Sequence, residues 1–238
     1  EPEAGLASGI LIGLRDRVDR NLANGFTTAG VSHVVAISGW NIAIVAALVG
    51  AGLRKWPRRR RSIATLALIA LYTVLTGASA SVVRAALMTS SVTLARESGR
   101  AGSAAAALGW AAVVMLLADP ATVGDAGFQL SSLATAGLIA WATPLTERFQ
   151  AWRGGLLPGW LAESLGVSFA AEAATLPVVL LAFGRLALLA PAVNLVVVPL
   201  VPPAMAAGTM ALLAGLAAQL GMPHEIATFI GLPGWAVL

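Results

Sequence analysis

Residues 33–41 read HVVAISGWN, and they open an apolar run that continues to about Leu53. A helix that crosses a bilayer needs about 20 apolar residues, so this run is long enough. Its first turns nevertheless carry the polar side chains of His33, Ser38 and Asn41. Polar groups in lipid are costly unless they find partners or line a wet cavity. The stretch therefore predicts a membrane helix that borders a polar pathway.

The composition extends this prediction to the whole chain. Hydrophobic residues make up 58% of the 238 residues and charged residues 11%, whereas soluble domains average about 45–50% and about 25%. We expect an all-α polytopic membrane protein with seven or eight transmembrane or re-entrant helices. The apolar runs lie at about 33–53, 62–79, 81–95, 102–118, 124–142, 162–182, 187–201 and 204–220. Because three prolines (Pro199, Pro202 and Pro203) interrupt the last two runs, these are expected to form one broken or re-entrant element.

The first 32 residues form a separate segment in this interpretation. The stretch LASGILIGLRDRVDRNL at 6–22 mixes apolar and charged residues, and its apolar part is too short to span. We therefore predict an amphipathic helix at the outer interface for 1–32 and a transmembrane domain for 33–238. Because the chain starts without Met and ends in the apolar run 226–238, we expect a longer protein truncated at both ends.

Basic residues predict the orientation. They follow the first, third and fifth runs, at Arg54, Lys55 and Arg58–Arg61, at Arg96 and Arg100, and at Arg148 and Arg153. Two runs separate each basic group from the next, so all three groups lie on one side, which the positive-inside rule makes cytoplasmic. The less favoured alternative for the basic run at 58–61 is a nucleic-acid patch. His33, Arg84 and Gln129 are then expected near the outer surface.

Helical spacing gathers polar residues into stripes on three apolar helices. The stripes are Thr65, Tyr72, Thr76 and Ser79; Ser81, Arg84, Met88 and Ser91; and Ser164, Ser168, Glu172 and Thr175. Hydroxyls are also typical of helix–helix contacts, so that alternative stays open. A charge in the membrane costs a few kcal/mol, so Arg84 and Glu172 should each face water, a ligand or the other. We hypothesise that these two residues form an ion pair.

Smaller signals complete the set of candidate residues. Asp119 is expected at a helix end and Asp125 at the next helix start. Gln129 is expected either to bond a neighbouring helix or to line a passage, and Asn194 to cap a half-helix. The chain has no phosphate-binding loop, no HExxH, no Cys and two His, so we expect no enzyme, metal or cofactor. A hydrolase that uses Ser38 is disfavoured, since its base would have to be the distant His224.

Four motifs in order resemble those of the ComEC competence family. HVVAISGWNIAIV is similar to its HLLAISGLHIGLL signature, and SVVRAALM at 81–88 to its SxxRAxxM. DPATVGDAGFQLSSLATAGLI at 119–139 and AATLPVVLLAFGRLALLAPAVNLVVVPL at 173–200 resemble two further family motifs. The sequence departs from the family at Asn41, where many relatives carry His, and at Glu172, where Gln is common.

The resemblance implies a channel domain that passes single-stranded DNA across the bacterial plasma membrane during natural transformation. It also implies flanking oligonucleotide-fold and metallo-β-lactamase-like domains, and we expect an outer-face DNA receptor as a partner. Because a polyanion moves inward against the membrane potential, we expect a cytoplasmic ATP-driven translocase or a proton-coupled step to supply the work. We expect the channel to be lined or braced by His33, Ser38, Asn41, Tyr72, Thr76, Ser81, Arg84, Gln129, Ser164, Ser168, Glu172 and Asn194. The alternative is a transporter of a small anionic or lipid-linked solute.

Overall fold

A computed structural model describes residues 25, 39–152, 157–184, 190–219 and 221, and every regular element in this part of the chain is helical. The helices are α1 (Gly39–Gly52), α2 (Arg58–Leu75), α3 (Ala80–Glu97), α4 (Ala104–Ala118), α5 (Ala126–Ala151), α6 (Gly159–Phe183) and α7 (Ala190–Gln219). A short 3-10 helix, Pro120–Gly124, joins α4 to α5. The all-α class is thereby confirmed. The predicted interfacial helix at 1–32 lies outside the described residues, apart from Gly25.

The residues divide into two compact units, of which one is Ser38–Ala192 and the other includes the segment from Val193 onward. Within the first unit α3 occupies the centre, because it packs on α1, α2, α4 and α5. Its buried face carries Val82, Arg84 and Ala85. The residues that sit on α3 are therefore the best placed in this unit to contact several helices at once.

Glycines end α2 and α3 in the same way. Gly77 has φ +77° and Gly99 has φ +72°, a left-handed conformation that glycine adopts without strain. After α2, the Ala78 amide donates to the Thr73 carbonyl at 3.0 Å. After α3, the Arg100 amide donates to the Ala95 carbonyl at 2.9 Å. These bonds satisfy carbonyls that the helix leaves free, so each chain reversal is compact.

Two aspartates shape the connection between α4 and α5, as the sequence predicted. Asp119 follows the last residue of α4, and its carboxylate accepts a hydrogen bond from the Ala121 amide at 2.9 Å. The Asp125 carboxylate accepts from the Phe128 amide at 2.7 Å and caps the start of α5. Both predicted helix boundaries are confirmed.

Helices α5 and α6 form a closely packed antiparallel hairpin. Gly137 on α5 lies against the carbonyl of Ala170 and the Cβ of Ala174, while Gly166 on α6 lies against the backbone of Thr146. A side chain at either glycine would collide with these atoms. The hairpin therefore depends on small residues that let the two backbones approach.

The last two predicted runs lie in one continuous helix and not in a broken or re-entrant element. Helix α7 continues from Ala190 to Gln219 through Pro199, Pro202 and Pro203. Each proline removes one backbone hydrogen bond, a loss that apolar helices tolerate when local adjustments or neighbouring groups satisfy the freed carbonyl. The expectation that the prolines break the path is therefore wrong. Asn194 accordingly lies inside α7 and not at the cap of a half-helix.

Two described helices are long and apolar enough to cross a membrane by length and composition. They are Gly159–Phe183, which is α6, and Ala190–Met210, which is most of α7. Ile42–Gly52 and Ala104–Ala118 are apolar but shorter. The larger number of spans that the sequence indicated stays a prediction.

Candidate functional site

A cavity of about 830 Å³ lies among α1, α2, α3 and α4. The α1 and α4 walls are made of alanine and glycine, which leave room because their side chains are small or absent. The polar side chains come from α2 and α3: Arg58, Arg61, Ser62, Thr65, Thr89, Thr93, Arg96 and Glu97. The volume falls in the range of roughly 300–1,000 Å³ that is usual for small-molecule sites. It therefore has room for groups the size of a nucleotide.

Helical periodicity explains why these residues share one space. On α2 the lining residues Arg58, Arg61, Ser62 and Thr65 recur at intervals of three and four, which places them on one face. On α3 the lining residues between Met88 and Glu97 follow the same periodicity. The two faces meet because α2 and α3 pack together after the compact turn at Gly77.

One end of the cavity is basic, and we call it the basic mouth: Arg58, Arg61, Ser62, Arg96 and Glu97. The Glu97 carboxylate accepts a hydrogen bond from Ser62 Oγ at 2.6 Å and lies 3.4 Å from Arg58 Nε. The Arg58 guanidinium also donates to the carbonyl of Arg96. These contacts tie the start of α2 to the end of α3.

The charges of the basic mouth do not balance, since three arginines face one glutamate. Two of those arginines stand in the first turn of α2, where the helix dipole disfavours positive charge. An additional anion would therefore be stabilised here, both by the excess of arginine over glutamate and by the helix end.

Arg84 lies beyond the other end of the cavity and is buried, with 6% of its surface exposed. Its Nη1 donates to the sulfur of Met88, a lining residue one turn away, at 3.1 Å. Its Nε donates to Ser131 Oγ on α5 at 2.7 Å. The stripe on α3 therefore connects the buried guanidinium to the cavity wall.

The hypothesised ion pair between Arg84 and Glu172 is wrong. Both residues are described, and Arg84 bonds Ser131 and Met88 instead. The physical reason is that α5 packs on both α3 and α6. Ser131 of α5 therefore accepts the hydrogen bond from Arg84 that the hypothesis assigned to Glu172 on α6. Glu172 is half-buried on α6.

Of the predicted channel residues that the structure describes, none lines the cavity, although Thr65 and Met88 of the same polar stripes do. Tyr72, Thr76 and Ser81 are half-buried at the far ends of α2 and α3. The Thr76 hydroxyl donates to the carbonyl of Tyr72 at 2.9 Å. A channel role for these residues stays a prediction.

The remaining candidates are scattered over the chain. Gln129 Nε2 donates to the Val123 carbonyl at 2.7 Å, so it braces the connection before α5. Ser164 and Ser168 are half-buried on α6, on the side away from the small residues that contact α5. The Oδ1 atom of Asn194 is buried without a hydrogen-bond partner in the described part of the chain. His33, Ser38 and the side chain of Asn41 lie outside the described residues.

Sequence reasoning missed the basic mouth because it attributed Arg58, Arg61 and Arg96 to membrane orientation, and it gave a nucleic-acid patch only as the less favoured alternative for 58–61. The spacing did contain a signal. Arg58, Arg61 and Ser62 continue the polar stripe of α2 backwards from Thr65 by two turns. Glu97 lies outside every predicted apolar run and gave no signal of its own.

Comparisons with known proteins agree with the motifs. The family model described as Competence protein matches residues 10–234. ComE operon protein 3 of Bacillus subtilis (strain 168) is 31% identical over 202 residues, which cover 82% of this chain and 24% of that protein. The chain thus spans about a quarter of the length of this relative. No solved structure matches the chain. The resemblance that the motifs indicated is confirmed, and the chain belongs to the competence protein family.

Proposed function

We propose that this chain is the channel domain through which one strand of DNA crosses the bacterial plasma membrane during natural transformation. The observation that carries the proposal is the cavity in a competence-family chain, because its polar lining combines arginines with hydroxyls. Arginine attracts a polyanion, and hydroxyls replace part of the water around its phosphates. The domain acts as a passage and not as an enzyme.

The apolar surface supports a multi-pass position in the membrane. Leu117 is 80% exposed, Leu181 88% and Val74 73%. Exposed apolar side chains of this size would be covered by lipid in a polytopic protein. The basic groups near Arg58, Arg100 and Arg148 recur at every second helix connection, which agrees with one cytoplasmic side. The basic mouth is then the inner end of the cavity.

The direction of transfer requires external work. Each phosphate that moves inward against the membrane potential costs about 2.3 kcal/mol per 100 mV. The sequence contains no nucleotide-binding loop that could supply this energy. We therefore propose a cytoplasmic ATP-driven translocase as a partner, together with an outer DNA receptor and the oligonucleotide-fold and metallo-β-lactamase-like domains of the full-length protein.

Arg61 and Arg60 offer a matched pair to test this function, because they are adjacent in the same basic run. Arg61 lines the cavity, whereas Arg60 is exposed and does not. In cells that produce the full-length protein, Arg61→Gln should lower uptake of labelled DNA roughly tenfold, the cost of one charged contact. Arg60→Gln should leave uptake near the wild-type rate.

Immunoblots of the membrane fraction would verify equal amounts of both variants. Wild-type uptake in the Arg61→Gln strain would contradict the channel. Equal losses in both strains would also contradict it, because the effect would then come from the charge of the basic run and not from the lining of the cavity.

A further inference from the structure

The carboxylate of Glu97 is the acidic group among the residues of the basic mouth. It accepts a hydrogen bond from Ser62 and lies within ion-pair distance of Arg58. A phosphodiester carries one negative charge and accepts the same kinds of hydrogen bond. The Glu97 carboxylate thus resembles a phosphodiester in its charge and in the hydrogen bonds that it accepts.

The contact with Arg58 is loose. The Nε–Oε1 distance of 3.4 Å exceeds the 2.7–2.9 Å of a good charge-assisted bond. The Arg58 side chain is 60% exposed and that of Glu97 26%. A partly exposed ion pair of this kind contributes little stability. Another anion can therefore replace the carboxylate at small cost, provided that it also accepts the 2.6 Å hydrogen bond from Ser62.

We propose that Glu97 is a displaceable counter-ion in a phosphodiester-binding site formed by Arg58, Arg61 and Arg96. The inference rests on the proposed function, in which a DNA strand reaches this mouth. Each arriving phosphate displaces the carboxylate, and the carboxylate returns when the phosphate leaves. The competition keeps binding weak, and conduction needs binding that is weak enough to release.

Glu97→Gln tests the proposal because the amide oxygen still accepts the Ser62 hydrogen bond while the charge is lost. Glu147→Gln is the matched control, since Glu147 is exposed on α5 and does not line the cavity. The full-length protein would be placed in phosphatidylcholine nanodiscs. Fluorescence anisotropy would then measure binding of a short labelled single-stranded oligonucleotide over a range of salt concentrations.

We expect Glu97→Gln to bind the oligonucleotide roughly two- to fivefold more tightly, the range of one exposed ion pair. The salt dependence should steepen by about 0.7 in the log–log slope, because one more arginine becomes available to a phosphate. Adding Arg58→Gln to Glu97→Gln should return the affinity to the wild-type value. Glu147→Gln should behave as the wild type.

Glu97→Ala provides a second variant in case Glu97→Gln does not yield a monodisperse protein. It also removes the charge and leaves the Ser62 hydroxyl able to donate to a phosphate, so the affinity should rise by a similar factor. Unchanged affinity in the folded variants, or an equal change in Glu147→Gln, would overturn the proposal.

Anionic lipid headgroups share the chemistry of a phosphodiester, so nanodiscs with phosphatidylglycerol form a separate arm. If Glu97→Gln increases retention of phosphatidylglycerol but not oligonucleotide binding, the site is a lipid site and the proposal is wrong. If the Glu97 experiments fail while Arg61→Gln still lowers DNA uptake, the counter-ion proposal is wrong and the channel proposal stands. Wild-type uptake in Arg61→Gln would contradict the channel proposal itself.

Discussion

Arg84 is the charged residue that the described part of the chain buries, with 6% of its surface exposed. Its two acceptors, Ser131 Oγ and Met88 Sδ, are both neutral. Neutral acceptors offset only part of the cost of removing a guanidinium from water. Burying the Arg84 guanidinium therefore lowers the stability of the fold. Charged residues that are buried at such a cost are typically functional.

We predict that Arg84→Leu separates stability from function. Leucine removes the buried charge, so the amount of protein in the membrane should stay at the wild-type level or rise. DNA uptake should fall roughly tenfold, because the cavity-lining residue Met88 and Ser131 on α5 lose the guanidinium that connects them. Immunoblots of membranes and uptake of labelled DNA would measure the two effects.

Arg84→Lys serves as the companion variant, since lysine keeps the charge but not the planar fork that reaches both Ser131 and Met88. We expect it to restore only part of the uptake. Wild-type uptake by Arg84→Leu, or disappearance of that protein from the membrane, would contradict this role for Arg84.

At the scale of elements, the α5–α6 hairpin depends on a glycine. We predict that Gly137→Ala destabilises the domain by about 1–3 kcal/mol, the usual cost of overpacking. The added Cβ would lie 2.5 Å from the Cβ of Ala174 and would also meet the carbonyl of Ala170. The unfolding midpoint in mixtures of dodecyl maltoside and dodecyl sulfate would measure the change.

Gly109→Ala is the control, because Gly109 lies inside α4 and an added Cβ there meets no atom within 4 Å. Alanine is the better helix former, so this variant should be as stable as the wild type or more stable by up to about 1 kcal/mol. Equal midpoints for the two variants would show that the hairpin does not require close approach at Gly137.

The helices themselves were largely predictable from the sequence. Each of α1 to α6 coincides with one apolar run, because burial in lipid or protein needs continuous apolar segments. The unbroken course of α7 through the last two runs was not predictable. Whether Pro199, Pro202 and Pro203 kink a helix or end it depends on groups that satisfy the freed carbonyls, and sequence periodicity carries no information about them.

At the scale of the whole molecule, the sequence identified polar faces but not which faces meet. The stripes that contain Thr65 and Met88 reach one cavity, while the stripe that contains Glu172 contributes nothing to its lining. Every polar face on an apolar helix has the same appearance in a sequence. Only the packing of α3 on four neighbours decides which faces share a space.

The proposed channel requires that α4 separate two sides of the membrane. Its 15 residues span about 22 Å, and exposed alanines stand just before it and just after it, at Ala101 and Ala121. These 238 residues contain no cysteine, so each substitution introduces the single thiol of this domain. We predict that Ala121→Cys reacts with a membrane-impermeant maleimide in intact spheroplasts, whereas Ala101→Cys reacts only after permeabilisation.

The two substitutions are chemically identical and change no charge, so a difference in labelling reports the side of the membrane. Labelling after denaturation would verify that both thiols are present and reactive. Reaction of both cysteines from outside would mean that α4 does not cross the membrane. The basic mouth, which includes Arg96 at the same end of the bundle as Ala101, would then open outward and could not release a strand into the cytoplasm.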